Sequence, residues 1–256
     1  MKELPKFGYV TKKDTHSEPF ECVVVLGESH VAAKIWVEVF ADLLKRFQGP
    51  PEPKVINAGI GGNAISPRSP GYPGSSGPSA IERYREDVVA HEPDLVILSY
   101  GLNDMRAGMA PEDFREDLSK MVGDIQEATG AVVVLTTVYN MSAYALFPPY
   151  DVGCPEAAEV YNLVIKQVAK KYDALVADIW EAEGQAPWVM AVDTVHANEM
   201  GHTLIGHRVF ETVAANCSGA AQRLKIPPDE AREQLKEKHE AALQRTKQRL
   251  AERHKG

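Results

Sequence analysis

Short apolar runs alternate with longer stretches of helical spacing along most of this chain, and that alternation limits the folds open to it. VVVL (23–26), KVINA (54–58), DLVILSY (94–100), AVVVLTTV (131–138) and ALVADI (174–179) are near-continuous apolar runs. That is the pattern of strands buried on both faces of a parallel sheet. Between them, residues 31–47, 79–91, 112–128 and 156–172 repeat apolar side chains at helical intervals. A βαβα order predicts one α/β domain with helices on both faces of the sheet. Functional groups in such sheets gather beyond the carboxyl ends of the strands, so those ends are where chemistry is to be sought.

The 256 residues suffice for one domain of about 200 residues with appendages. We place the domain at 21–220, with an N-terminal extension over 1–20 and a charged helical tail over 227–256. The tail, PPDEAREQLKEKHEAALQRTKQRLAERHKG, follows a Pro-Pro breaker and is dense in charge and helix formers. Its apolar positions, Ala231, Leu235, Ala242, Leu243 and Leu250, are sparse for a coiled-coil seam. Two readings stand: a solvated helix supported by i,i+4 ion pairs, or an arm through which the chain forms a homo-oligomer. The composition, 44% hydrophobic and 25% charged, is that of an ordinary soluble globular protein. A net charge of −8 argues against a sequence-independent grip on nucleic acid. No run of about 18 apolar residues exists, which argues against a membrane span or membrane partner. The first twenty residues lack the apolar stretch of a secretory signal. Cys22, Cys154 and Cys217 are far apart and not at metal-ligand spacing. Reduced thiols in a cytoplasmic protein are the expectation, with no metal and no cofactor.

Each strand end carries a suggestive group. LGESH (26–30) puts Ser29 past the first strand, either as a helix cap or as a nucleophile. NAGIGGN (57–63) follows the second, its glycines permitting close backbone approach. YGLNDM (100–105) follows the third, with Asn103 and Asp104 in place either to cap a helix or to act. AVDTVHANEMGH (191–202) sets Asp193 three residues before His196. Singly these are a cap, a turn, a cap and a surface pair. Jointly they hold the parts that acyl transfer requires. Serine needs a positioned base, which His196 can be. Asp193 can fix the imidazole tautomer. A glycine N–H and an asparagine amide can receive an oxyanion. Two loops also stand out, the Pro/Gly/Ser-rich 65–79 and the tyrosine-bearing 139–156, each either a binding wall or a simple insertion.

These four blocks, in this order over residues 26–202, resemble the SGNH (GDSL-type) hydrolases. The resemblance implies a flavodoxin-like three-layer α/β/α sandwich, and a serine ester hydrolase acting through an acyl-enzyme. It implies Ser29 as nucleophile with His196 and Asp193, and an oxyanion hole of the Ser29 N–H, Gly62 and Asn103. The chain departs from the family at Glu28, where an aspartate is usual, and at His30, where an apolar residue is usual. His30 either faces the pocket or packs beside the helix start. Ala197 stands where a proline commonly follows the histidine. His202 and His207, five apart on a helix, do not share a face and are not assigned a metal.

RYREDVVAHEPDLVILSYGLNDMR and the region around DTVHANEMGHTLIGHRVF are similar to intracellular carbohydrate acetylesterases of the xylan-deacetylating kind. The expected substrate is therefore a small-molecule or oligosaccharide ester bearing a short acyl group, acetyl first. No apolar stripe suited to a long acyl chain is visible in the sequence. Glu28, His30, Trp188, Tyr144 and Tyr150 are the candidate substrate contacts, with Phe147 in the same loop. Trp188 either walls an acyl pocket, stacks on a sugar or packs in the core. The alternatives are a lysophospholipase, thioesterase or arylesterase of the same family, or a domain of this fold that binds without catalysis.

Overall fold

The computed structural model describes residues 13–142, 144, 146–224 and 229–253. The chain divides into two compact units, 1–223 and 224–256. In the first, five parallel strands form one sheet in the order β2-β1-β3-β4-β5. They are β1 (Cys22–Gly27), β2 (Lys54–Gly59), β3 (Leu95–Ser99), β4 (Val132–Thr136) and β5 (Leu175–Ala177). β3 and β4 are buried throughout and β1 is buried from Val23 onward, whereas edge strands β2 and β5 are only part-buried. This is why the central runs are uninterrupted Val, Ile and Leu: both faces of each are covered.

The helices of this unit are α1 (Ser29–Ala32), α2 (Ile35–Gln48), α3 (Ala80–Asp87), α4 (Leu102–Arg106), α5 (Pro111–Thr129), α6 (Pro155–Lys171), α7 (Ile179–Glu183) and α8 (Glu199–Asn216). α2, α7 and α8 pack together in one layer, and α3, α5 and α6 in the other. The result is a three-layer α/β/α sandwich with the strand order of doubly wound flavodoxin-like sheets. The apolar residues Trp36, Phe40 and Leu44 on α2, and Phe114, Leu118, Met121 and Ile125 on α5, are buried, as their helical spacing requires. The last predicted strand, 174–179, is shorter than expected, because Asp178 leaves the sheet to cap α7, accepting the N–H of Glu181.

Of the extension at 1–20, residues 13–20 are described and pack on this unit. Phe20 is fully buried and exchanges two backbone hydrogen bonds with the Gln48 side chain, while Asp14 receives the N–H of Ser218. Residues 1–12 lie outside the described residues. So do the Pro-Pro breaker and residues 254–256 of the tail, and the side chains of Ala231 and Leu235. The second unit is the helix α9 (Asp229–Arg253), whose described side chains, Leu243 and Leu250 included, are exposed. No helix among the described residues is long and apolar enough to cross a membrane.

The first helix sits directly on β2. Asn57 donates to the carbonyl of Val31 at 2.8 Å, and a Cβ at Gly59 would stand 2.3 Å from the backbone nitrogen of Ala32. Backbone cannot yield as a flexible side chain would. Gly59→Ala is therefore expected to lower stability by about 1–3 kcal/mol, read as a lower midpoint in urea unfolding.

Candidate active site

β1 ends at Gly27, and Glu28 turns the chain into α1, its carbonyl accepting the N–H groups of Val31 and Ala32. Ser29 is thus the first residue of a one-turn helix. Its hydroxyl does not cap that helix. Instead Oγ lies 2.9 Å from Nε2 of His196, a residue 167 positions away in sequence. Nδ1 of His196 lies 2.7 Å from Oδ2 of Asp193. The other carboxylate oxygen, Oδ1, accepts the backbone N–H groups of Val195 at 3.0 Å and His196 at 2.9 Å. Partial burial by itself would raise the Asp193 carboxyl. The hydrogen bonds from His196 and Val195 outweigh it and hold the group down at about 2. Asp193 is therefore ionised wherever the histidine needs it.

The Asp193–His196 loop is fixed from both ends. Asn198 caps α8 by accepting the N–H of Gly201 and donates its amide to the carbonyls of Trp188 and Met190. Thr194, between Asp193 and His196, is held at φ 65°, a left-handed conformation unusual for a β-branched side chain.

Three strand ends meet at this serine. Gly62, after β2, adopts φ 64°, which a glycine takes without strain, and its N–H has no partner among the described residues. Asn103, on α4 after β3, donates Nδ2 to the carbonyl of Asn63 at 3.0 Å. Asn63 is itself buried and held by Tyr100, whose hydroxyl donates to it at 2.7 Å, and by its own bonds to Ser75 and Pro78. Gly62 and Asn103 line a cleft of about 440 Å³ with Ser29, Gly61, Arg106, Leu146, Phe147, Tyr150, Asp193, Val195 and His196. A strand-end hydroxyl bonded to an imidazole bonded to a carboxylate, with an amide and a glycine N–H beside it, is equipped for acyl transfer.

The other expected contacts fall differently. Tyr150 lines the cleft, and Phe147 stands beside it, 60% exposed. Glu28 does not touch the cleft: it is buried, and its Oε2 accepts the N–H of Asn103 at 3.2 Å. Burial, then the nearby charge of Asp104, pushes its carboxyl well above the usual range. His30 is also buried rather than cleft-facing. Its ring stacks on Tyr139 at 4.0 Å and its Nε2 accepts the N–H of Ala197 at 3.2 Å. Burial and the neighbouring His196 and His202 keep it neutral by pulling its pKa well down. Trp188 neither joins the core nor lines the cleft; it stands 63% exposed. Tyr144 also misses the cleft, its hydroxyl reaching Asn140 instead. Glu28 is corrected as a substrate contact, and His30 takes the packed alternative beside the helix start, for one reason. They alternate with Ser29 along a tight turn, and the turn sends the neighbours of an outward group inward. Exposed Leu146 and Phe147 add apolar surface at the cleft beyond what the sequence showed as a stripe. Their loop has no regular period, so no stripe shows in the sequence.

Asn63 and Arg106 were missed. Each lies inside or directly after a motif block, and neither residue type by itself signals chemistry. Among the described residues no group of three or more His, Cys, Asp or Glu is arranged to hold a metal ion.

Residues 25–204 match the GDSL-like Lipase/Acylhydrolase family, and the chain belongs to it. It is an ester hydrolase of that family. It is 26% identical over 171 residues to the acetylxylan esterase of Geobacillus stearothermophilus, covering 62% of this chain and 72% of that protein. The crystal structure of an acetylxylan esterase from that organism superposes with a TM-score of 0.62 at 20% identity, over 77% of this chain and 95% of the other. A lipase/acylhydrolase from Enterococcus faecalis superposes with a TM-score of 0.61 at 20% identity, over 80% of this chain and 100% of the other.

The buried Glu28 gives a signed pH dependence. A carboxyl whose folded pKa is raised contributes stability at pH below its ordinary 4.5 and loses it as pH rises through the raised value. Glu28→Gln keeps an acceptor for Asn103 and cannot ionise. Urea unfolding of the two proteins should show the difference moving in favour of the Gln variant between weakly acidic and neutral pH. A pH-independent difference would mean that Glu28 titrates as an ordinary carboxylate.

Proposed function

We propose that this chain is a serine esterase that removes a short acyl group, acetyl first, from a carbohydrate. The observation that carries it is the unbroken line Asp193–His196–Ser29 at 2.7 and 2.9 Å, opening on the cleft. In this reading Ser29 Oγ attacks the ester carbonyl carbon while His196 Nε2 takes its proton. The carbonyl oxygen becomes an oxyanion received by the N–H groups of Ser29 and Gly62 and the amide of Asn103. Collapse breaks the ester C–O bond, and His196 returns the proton to the departing alcohol. Water, deprotonated by the same imidazole, then releases the acid from Ser29. Asp193 stabilises the imidazolium in both halves.

The likeness to an acetylxylan esterase supports the acetyl and sugar parts of this reading. The second reading, a longer acyl group, draws on Leu146 and Phe147, which are 46% and 60% exposed at the lip. Hydrolysis of p-nitrophenyl acetate against p-nitrophenyl octanoate separates the two: acetate preference supports the first, octanoate preference the second. Turnover no better than a buffer blank, unchanged by Ser29→Ala, would overturn both.

Ser29→Ala and His196→Ala are each expected to lower kcat by several orders of magnitude, and Asp193→Asn by about 10⁴. Asn103→Ala should cost about 10²–10³ in kcat with little change in KM, since the oxyanion forms only on the way to the intermediate.

A further inference from the structure

One wall of the cleft carries a charge that the proposed chemistry does not use. Arg106 closes α4 three residues after Asn103 and lines the cleft with Ser29, Gly62 and Tyr150. Only 5% of its surface is exposed. Its Nε donates to the carbonyl of Tyr144 at 3.2 Å, and its Cζ lies over the Tyr150 ring, 5.2 Å from the centroid. One contact fixes an edge of the guanidinium and the other fixes a face. The plane of the group is therefore set before any ligand arrives.

Among the described residues Arg106 has no counter-charge in contact: it forms no ion pair, and the carboxylates of Glu28 and Asp193 act on it only through space. Asp193 is engaged by His196. Glu28 is kept towards its neutral form by burial. Burial in turn pulls the Arg106 pKa below the usual guanidinium value, the mark of a cation stripped of water without full compensation. A guanidinium offers five N–H donors in a planar fork, and only Nε is engaged with a described residue. Such a group, held rigid at the wall of a reactive cleft, suits a bidentate oxyanion brought by the substrate.

We propose that Arg106 is the specificity-determining residue for a carboxylate carried by the ester substrate, so that acidic esters, such as acylated uronic acids, are favoured over neutral ones. This deepens the ester-hydrolase reading of the same cleft and rests on it. The carboxylate sits either on the alcohol portion or on the acyl portion, and matched substrates distinguish the two.

For the alcohol side the pair is 3-acetoxybenzoate against 3-acetoxybenzamide. For the acyl side it is mono-4-nitrophenyl glutarate against 4-nitrophenyl pentanoate. In one pair, wild type should favour the anionic member by about tenfold or more in kcat/KM after subtraction of the buffer rate. Arg106→Gln should abolish that preference by lowering kcat/KM of the anionic member more than that of the neutral one, and Arg106→Lys should retain part of it. No anionic preference in either pair overturns the proposal. So does an Arg106→Gln protein in which both members fall together, since that is the signature of a strut for the 144–153 loop.

Two further measurements keep the question open to disproof if Arg106→Gln does not unfold cooperatively or no ester is turned over. Calorimetric binding of benzoate against benzamide to the Ser29→Ala protein should favour benzoate by about tenfold or more, and Arg106→Lys in that background should weaken it. Equal binding of the two overturns the carboxylate site. Failure of turnover with benzoate selectivity intact would instead sink the esterase reading alone.

Discussion

Gly27 stands level with Gly59 on one side and with Ser99 on the other in the parallel ladder. Everything functional in this chain depends on that register. Three parallel strands that stop at the same height must release their following segments side by side, above the same edge of the sheet. Ser29, Gly62 and Asn103 each lie a few residues past those level ends. The order β2-β1-β3 also makes β1 the point where the chain changes direction of winding, and the crevice outside such a point is open because the adjoining helices lie on opposite faces. The cleft is thus a consequence of topology, and the side chains that fill it are local choices made at three loops.

Holding those loops is the work of buried polar groups. Glu28 spans from the end of β1 to the start of α4 by accepting the N–H of Asn103. Asn63 spans from the β2 loop to the same asparagine through its carbonyl. His30 reaches the fourth segment by accepting the N–H of Ala197, next to His196. Ser29, Gly62, Asn103 and His196 are therefore tied to one another through these residues and their neighbours in sequence. Buried donors and acceptors of this kind are costly when left unpaired and directional when paired. Together they convert a loosely defined set of loops into one geometry. The same logic explains why Glu28 is tolerated where the family usually has aspartate. The side chain faces away from the cleft, so its added methylene lengthens a reach between two backbones and leaves the nucleophile where it was.

Above this polar floor the cleft has a different character. Leu146, Phe147 and Tyr150 form an apolar lip supplied by the 139–156 loop, and Arg106 carries a fixed positive charge beneath Tyr150. Apolar surface and an oriented cation side by side select for a ligand with both kinds of group, and neither is needed to break an ester bond. In the reading proposed above, the floor serves the reaction and the wall serves the choice of substrate.

The sequence by itself determined the sheet and singled out the groups that meet at its strand ends. Continuous runs of Val, Ile and Leu give buried strands in any context that covers both faces, and LGESH, NAGIGGN, GLND and DTVHANEMGH carry their chemistry within short, local spacing. Gly62 and Thr194 illustrate the difference in legibility: a glycine advertises a left-handed turn, whereas a threonine held at φ 65° does not. Only the tertiary structure decided which neighbours of those groups face the ligand. Glu28 and His30 flank Ser29 yet turn inward, while Arg106, at the end of a short helix, and Leu146, in an irregular loop, turn towards the cleft. The side on which a residue falls at a strand-to-helix turn is set by packing against elements far away in sequence. For His30 those are Tyr139 and Ala197, and for Arg106 they are Tyr144 and Tyr150. Local spacing holds no record of those distant contacts.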